Sequence, residues 1–376
     1  MTAARSPHRA WIEVDHAAIR HNVAAIRGLV DGTELIAVVK ANAYGHGDVA
    51  VARTLVAEGV NRLAVATVDE ARRLRTAGIA VPILLLWGIG PAEVADVADL
   101  ALEPILYDGR TVRWLEDAPG TGRIGVHLKL DTGLGRQGVE PEHAAELAAA
   151  VVRSRRLTLV GTMSHLAVAG DDDAYTESQV VRLARALDTL RASGIDPGLV
   201  HVSASAGILA GVGDLADAVR PGITLYGLLP GSAPAPRNGD SLRRALTVKA
   251  VPLRLFDLAA GASLGYGLRF RASRPTRIAT LGIGYGDGWP RAHANNGWVL
   301  VRGRRAPIVG AVSMDGITVD VGGIGDVTYD DEFVLIGEQA GERITAEEVA
   351  EERRTINYEV TTALRERLPR VHLGGA

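Results

Sequence analysis

The chain has no cysteine among its 376 residues. Disulfides, thiolate catalysis and cysteine-ligated metals are therefore excluded, and a reducing compartment suits it. It also lacks an excess of either charge. Lys and Arg number 41 against 44 Asp and Glu, a formal net charge of -3, so neither nucleic acid nor a membrane surface is an expected partner. The opening MTAARSPHRAWIEVD has no apolar core of signal-peptide length. No uninterrupted apolar run could span a bilayer; AAELAAAVV (144–152) is too short and Ala-rich. There is no internal repeat and no low-complexity tract beyond Ala-richness. A cytoplasmic globular protein is the expectation, and the length calls for two domains.

What the chain does have is a regular alternation. A first helix is expected after Asp15, a suitable N-cap, with Ile19, Val23, Ile26 and Val30 at helical spacing. Short β-rich runs follow at 35–40, 62–67, 82–87, 103–107, 124–131, 157–165, 200–205 and 218–227. Helical stretches separate most of them, such as 69–78, 142–154 and 175–194. Eight strands alternating with helices predict parallel strands with crossover helices, closed as a (β/α)8 TIM-type barrel. The last unit is the weakest, with only AGILAGVGDLA between its strands. The pattern breaks at PGSAPAPRNGDS (230–241), which reads as a linker. Beyond it lie β-rich segments at 246–256, 276–286, 298–322 and 332–337, then helices at 345–354 and 358–368. A barrel over 1–240 and a mostly antiparallel β-domain over 241–376 are predicted. The segment WIEVD (11–15) suits either domain, so residues 1–14 could pack with the second.

Barrel enzymes carry their chemistry at the C-terminal ends of the strands. Lys40, Lys129, Asp131, Arg136, His165, Ser205 and Arg220 all fall there. One basic residue at a strand end is commonly a helix cap or surface ion pair; several polar groups at one rim are harder to dismiss. Small residues in Ser205-Ala-Gly207 and Arg220-Pro-Gly-Ile223 leave backbone N–H groups that could cradle a phosphate. AVVKANAYGHG (37–47) is the sharpest motif. A lysine ending a buried apolar strand loses hydration, so its amine becomes available as nucleophile or base. From the residues alone, a Schiff-base lysine and a buried paired lysine stand level. Tyr44 follows closely enough to reach a phosphate bound nearby.

Ordered motifs extend over the whole chain: AVVKANAYGHG (37–47), HLKLDTGLGRQG (127–138), SHLA (164–167), VRPGITLYG (219–227), GYG (265–267), GYGDGWPR (284–291), SMD (313–315), TINYE (355–359) and LPR (368–370). From about 11 to 373 the sequence resembles alanine racemases of the pyridoxal-phosphate fold-type III group. The resemblance implies that Lys40 holds pyridoxal 5'-phosphate and acts as one catalytic base, with Tyr266 from a partner subunit as the other. Without it, Tyr266 in its Gly-Tyr-Gly turn reads as a loop aromatic. It implies Arg220 at the cofactor's ring nitrogen and Arg136 at the cofactor hydroxyl and substrate carboxylate. Tyr44, Ser205, Gly222, Ile223 and Tyr358 match phosphate ligands. His165 matches the residue that hydrogen-bonds the catalytic tyrosine, and Met314, beside Asp315, a backbone contact to the substrate. Tyr285 and Arg291 belong to the entrance. Lys129 matches a lysine often carbamylated to brace Arg136; an ordinary salt bridge to Asp131 is the alternative. No metal is implied.

The implied reaction interconverts L- and D-alanine in a homodimer with shared sites, supplying D-alanine for peptidoglycan. Racemisation needs a base on each face of a planar carbanion, which a lysine and a tyrosine from another chain can provide. A guanidinium that keeps its proton leaves the ring nitrogen unprotonated and weakens the electron sink. Three departures from the family pattern stand out: Ala204 where Asn is usual, Ala311 where Arg is usual, and Ser313 where Cys is common. They bear on substrate breadth and cofactor affinity. The rivals are a racemase of serine, lysine or other amino acids, a decarboxylase of related fold, and a non-enzymatic pyridoxal-phosphate-binding protein. Arg220 argues against the decarboxylase, which would pair the ring nitrogen with a carboxylate. The β-domain carrying Tyr266 and Met314 argues against the non-enzymatic reading.

Overall fold

A computed structural model describes residues 8–30, 32–212, 216–231 and 241–375. The linker read at 230–241 falls largely on 232–240, outside the described residues. The chain divides into two compact units. One comprises 18–43 and 48–243; the other comprises 1–17, 44–47 and 244–375. Among the described residues no helix is long and apolar enough to cross a membrane.

After strand β1 (Ala10–Asp15), the barrel unit contributes β2 (Glu34–Val38), β3 (Arg62–Val65), β4 (Ile83–Leu85), β5 (Leu102–Leu106), β6 (Ile124–Lys129), β7 (Leu157–Met163), β8 (Leu199–Ala204) and β9 (Ala218–Arg220). Each pairs in parallel with the next, and β9 closes on β2 through Glu34 opposite Ala218 and Leu35 opposite Val219. The predicted eight-stranded barrel is present. Its strands read as near-continuous apolar runs because helices cover the outside and side chains fill the inside. The helices start where their caps put them. Thr67 and Glu70 form a capping box for Val68–Thr76, Asp108 caps Gly109–Glu116, and Asp172 caps Asp173–Ala192. Each cap satisfies amide groups that the first turn cannot.

The strand expected over 218–227 is shorter than its sequence suggested. It ends at Arg220, and a 3-10 turn covers Ile223–Tyr226. Pro221 has no N–H for a ladder. The buried Tyr226 hydroxyl instead donates to the Val38 carbonyl at 2.9 Å, tying this turn to the end of β2.

The second unit is built on β1 with β10 (Leu246–Ala250), β11 (Pro252–Leu258), β12 (Ser263–Leu264), β13 (Phe270–Arg271), β14 (Thr276–Leu281), β15 (Trp298–Val301), β16 (Arg304–Val309), β17 (Ile317–Asp320), β18 (Phe333–Gln339), β19 (Glu342–Ile344) and β20 (Arg370–Leu373). The main sheet runs β11-β14-β17-β16-β15-β18-β10-β1-β20, with β19 added to β18. Its pairings are antiparallel except β1 with β20. The run 246–256 is two strands, because Pro252 interrupts the ladder and the Val251 amide turns to Arg9 O at 3.0 Å. The helix expected over 358–368 is only Asn357–Thr362. The Arg365 amide bonds Asp287 O at 3.0 Å in place of continuing the helical ladder.

Candidate active site

Five polar side chains gather at one end of the barrel. Lys40 lies two residues beyond β2, Lys129 ends β6, His165 lies two beyond β7, Ser205 follows β8 and Arg220 ends β9. All are therefore at the C-terminal rim.

Lys40 opens an unusual segment. Ala41, Asn42, Ala43 and Tyr44 all have φ between 52° and 55°. This is a left-handed turn made by four residues other than glycine, each of which disfavours that region by roughly 1–2 kcal/mol. Specific bonds hold it. The Ala41 amide donates to Glu70 Oε1 at 2.7 Å, the Ala43 amide to Val39 O at 2.9 Å, and the Asp48 amide to Asn42 Oδ1 at 2.9 Å. Glu70 thus caps a helix and braces the lysine's turn at once. Burial lowers the Lys40 pKa from the ordinary lysine value, and the Arg136 and Arg220 cations lower it further against the opposing carboxylate of Glu70. Among the described residues Lys40 forms no ion pair, unlike the paired lysine that its residues alone left open.

Lys129 is buried. Its pKa is lowered to about 8, first by burial and then by Arg136 and Arg220. The alternative salt bridge to Asp131 does not form. The Asp131 carboxylate instead accepts the amides of Gly133, Leu134, Gly135 and Arg136, shaping the loop that presents Arg136. Arg136 stacks over the ring of Trp87, its guanidinium carbon 5.4 Å from the centroid. Trp87 was not among the residues singled out from sequence. It is a half-exposed aromatic two residues past β4, and that position was its signal.

Arg220 is buried and, among the described residues, has no carboxylate partner. Nη2 donates to Ser164 O at 2.7 Å, Val202 O at 2.9 Å and His165 Nδ1 at 3.2 Å, while Nη1 donates to His201 Nδ1 at 2.7 Å. Among the described residues no acceptor engages Nε. Burial and Arg136 lower its pKa to about 9, which still leaves a cation at neutral pH. His165 is pushed well below the ordinary histidine value by burial and then by Arg220. Since a guanidinium only donates, Nδ1 of His165 must accept and Nε2 must carry the proton. Gln179, also missed from sequence, donates to His165 O at 3.2 Å and accepts the Ala167 amide at 2.8 Å, fixing this segment. Ser205 Oγ accepts the amides of Gly222 at 3.0 Å and Thr224 at 3.4 Å and shares a 2.9 Å bond with Thr224 Oγ1. Ile223 lies buried between them.

The other predicted residues belong to the β-rich unit. Tyr266 is at the tip of the β12–β13 hairpin between Gly265 and Gly267, whose φ values of 72° and 70° favour glycine. Leu264 and Phe270 anchor the hairpin's feet on a cluster of Leu258, Ala272, Ile278 and Val309. The ring itself is 75% exposed. Ala311 is a neighbour: its amide nitrogen lies 3.6 Å from where a side chain on Gly265 would start. Tyr285 and Met314 are brought together, since the Tyr285 amide donates to Ser313 O at 3.0 Å and the Gly286 amide to Met314 O at 2.8 Å. Asp315 pairs with Arg367 at 2.6 Å. Arg291 is exposed at the start of a 3-10 turn, Arg291–His293. Tyr44 and Tyr358 face one another with ring centroids 6.0 Å apart. Burial raises the Tyr358 pKa to about 12, so its phenol stays a hydrogen-bond donor.

Two family models match consecutive stretches: the alanine racemase N-terminal domain over residues 14–230 and the alanine racemase C-terminal domain over 245–372. The chain belongs to the alanine racemase family. It is an enzyme, a racemase. The alanine racemase of Syntrophobacter fumaroxidans is 42% identical over 369 residues, 97% of this chain and 98% of its own. That of Desulforamulus reducens is 41% identical over 370 residues, 97% and 99% of the two chains. The crystal structure of alanine racemase from Bacillus anthracis with bound L-Ala-P superposes with a TM-score of 0.92 at 35% identity, covering 98% of this chain and 96% of that one. These racemases share both the barrel and the antiparallel sheet.

Proposed function

We propose that this racemase interconverts L- and D-alanine with pyridoxal 5'-phosphate, by two bases, in a cytoplasmic homodimer whose sites are shared, and so supplies D-alanine for peptidoglycan. The observation that carries the reading is the rim of the barrel. An amine on Lys40 with a lowered pKa is set beside a buried Arg220 cation that, among the described residues, meets no carboxylate and has Nε unused.

The residues fit the cofactor. Lys40 offers an amine that forms no ion pair among the described residues. Arg220 Nε offers one donor to a ring nitrogen. By the resemblance Ser205, Gly222, Ile223, Tyr44 and Tyr358 would hold the phosphate, and Tyr358, its pKa raised to about 12, keeps a phenolic donor for that role. Bound pyridoxal phosphate supplies a conjugated ring that disperses negative charge at the amino acid's Cα. Arg220 retains its proton and would donate to the ring nitrogen without protonating it, which would limit that dispersal and favour return of a proton to Cα.

Lys40 takes or gives the proton on one face. The partner's Tyr266 does so on the other, since a ring exposed at a hairpin tip is free to enter another subunit. The Nε2–H of His165 is the donor that stabilises the tyrosine's oxygen when it has lost its proton. Arg136 binds the substrate carboxylate, with Met314 as a backbone contact, and Tyr285 and Arg291 line the entrance. With its pKa lowered to about 8, Lys129 keeps a minor neutral fraction near neutral pH; that free amine can add carbon dioxide, release a proton to water and, as a carbamate, pair with Arg136.

A broader amino-acid range has specific support in Ala204 and Ala311, which remove hydrogen-bonding capacity and a positive charge. Exposed ion pairs are worth about 0–1 kcal/mol, so only a modest loosening is expected. Chiral analysis of products from a panel of L-amino acids tests the assignment. Alanine should be fastest, with serine slower; faster racemisation of lysine or arginine would replace alanine as the substrate.

A further inference from the structure

Barrel interiors are ordinarily packed with branched apolar side chains. Here a line of polar groups crosses that interior. Glu103 lies near the N-terminal end of β5, His127 and His201 lie mid-strand in β6 and β8, and Arg220 ends β9. His127 Nε2 is 3.2 Å from Glu103 Oε2, His127 Nδ1 is 2.9 Å from His201 Nε2, and His201 Nδ1 is 2.7 Å from Arg220 Nη1. Both imidazoles are fully buried.

We propose that Glu103, His127 and His201 form a one-directional hydrogen-bonded relay that orients Arg220 and gives it a remote counter-charge at the opposite mouth of the barrel.

The direction follows from donor chemistry. A guanidinium only donates, so His201 Nδ1 accepts and its proton is on Nε2. That proton faces His127 Nδ1, which must accept, leaving the His127 proton on Nε2. The Glu103 carboxylate accepts it. A second proton on either ring would place two N–H groups nose to nose. Burial opposes that charge on both rings and lowers their pKa values, His201 the further. Each member is thus satisfied, as a buried polar chain must be.

Glu103 ends the relay where a carboxylate is tolerable. It lines a cavity of about 300 Å³ and pairs with Arg62, which also reaches Glu34 at 3.5 Å. The cation is therefore held in the dry interior and its balancing charge at a wetter end. Room for the relay depends on Gly161 of β7: a Cβ there would stand 2.4 Å from His127 Nδ1, the accepting atom. Glu103, His127 and His201 are positioning residues, since they act through Arg220. The consequence at a cofactor ring nitrogen rests on the function proposed above; the relay itself does not.

Imidazole ¹⁵N spectra of the full-length, cofactor-loaded protein test this, with histidines assigned by single His→Gln variants. In the wild type, His127 and His201 should each show one bare Nδ1 and one protonated Nε2. Glu103→Leu removes the terminal acceptor. It should shift the His127 Nε2 signal and lower kcat roughly ten-fold, the scale of outer-shell partners, with KM changed less than two-fold. Glu103→Gln keeps an acceptor and loses the charge, so the protonation pattern should persist while kcat still falls. A proton on His201 Nδ1 in the wild type overturns the relay. So do unchanged histidine spectra and unchanged kcat in a folded Glu103→Leu protein. If that variant does not fold, Glu103→Gln decides: a kcat equal to wild type removes the counter-charge role. A wild type that does not racemise alanine defeats the proposed function, while its histidine spectra still judge the relay.

Discussion

The two units present their functional side chains in opposite ways. At the barrel rim the cations are crowded, and two of them, Arg220 and Lys129, are nearly without solvent. Their environment lowers the pKa values of both, and each orientation is fixed by carbonyls, imidazoles or packing. In the β-rich unit several arginines are instead partnered with acids near its surface, as Arg302 is with Asp331 and Arg305 with Glu348. Tyr266 and Met314, the residues proposed to carry its chemistry, stand exposed. The first arrangement is a preorganised electrostatic site, where charge stabilisation is built before substrate arrives. The second is a set of side chains presented to solvent. The contrast teaches that burial tunes the charges of the barrel unit, while the proposed roles of the β-rich unit's residues depend on a partner reaching them.

The sharpest break of this contrast comes from Lys40. Lys40→Ala removes an anchor and a base, and should lower racemisation by at least roughly 10⁴-fold in both directions. Borohydride reduction of the wild type followed by peptide mapping should place the pyridoxyl label on Lys40; a label on Lys129 or Lys249 would falsify the anchor assignment. Tyr266→Ala comes next and should act in one direction. It should slow α-deuterium exchange from L-alanine by roughly 10²–10⁴-fold and that from D-alanine far less. Equal loss from both enantiomers would mean that the two units do not supply separate bases.

Trp87 sharpens the comparison at lower amplitude. A half-exposed cation–π contact is worth about 0.5–1 kcal/mol, so Trp87→Ala should raise KM for alanine roughly two- to five-fold with kcat nearly retained. A fall in kcat with constant KM would show that Trp87 serves something other than holding Arg136. The smallest effect concerns Lys129. Its folded pKa of about 8 lies below that of an ordinary lysine, so between those values the unfolded chain binds more protons. Stability contributed by this group therefore rises as pH increases from about 8 toward 10. In bicarbonate-free buffer the wild-type Tm should gain over that window relative to Lys129→Met. A parallel course for the two proteins would place the Lys129 amine in ordinary solvent.

Much of this architecture was legible in the chain because its signals are local. Apolar runs punctuated by caps such as Thr67 and Asp108 mark each barrel strand and helix. Lys40, Lys129 and Arg220 could be picked out because a strand end is a predictable place in a barrel. Contacts between distant segments were not legible. Nothing local announces that Trp87 meets Arg136, that Gln179 holds the His165 backbone, or that Gly161 makes way for His127. Each joins segments far apart in the chain: loop to loop for Trp87 and helix to loop for Gln179; for Gly161 it depends on strand register, which alternation predicts only within one residue's parity. The ends of β9 and of the Asn357–Thr362 helix were misjudged for a related reason. Proline chemistry at 221 and a competing carbonyl at Asp287 override the apolar pattern there.

The left-handed turn from Ala41 to Tyr44 gives the lysine a further property. Four residues wound against their natural hand oppose the turn by about 4–8 kcal/mol in isolation, comparable with the net stability of an entire domain. The segment cannot be a seed of folding; it must be imposed late, by Glu70, Val39 and Asp48 once these are already in place. Until that turn is wound, Lys40 lacks the burial and the neighbouring cations that lower its pKa, so the tuning of this amine is a product of completed folding and not of the local sequence.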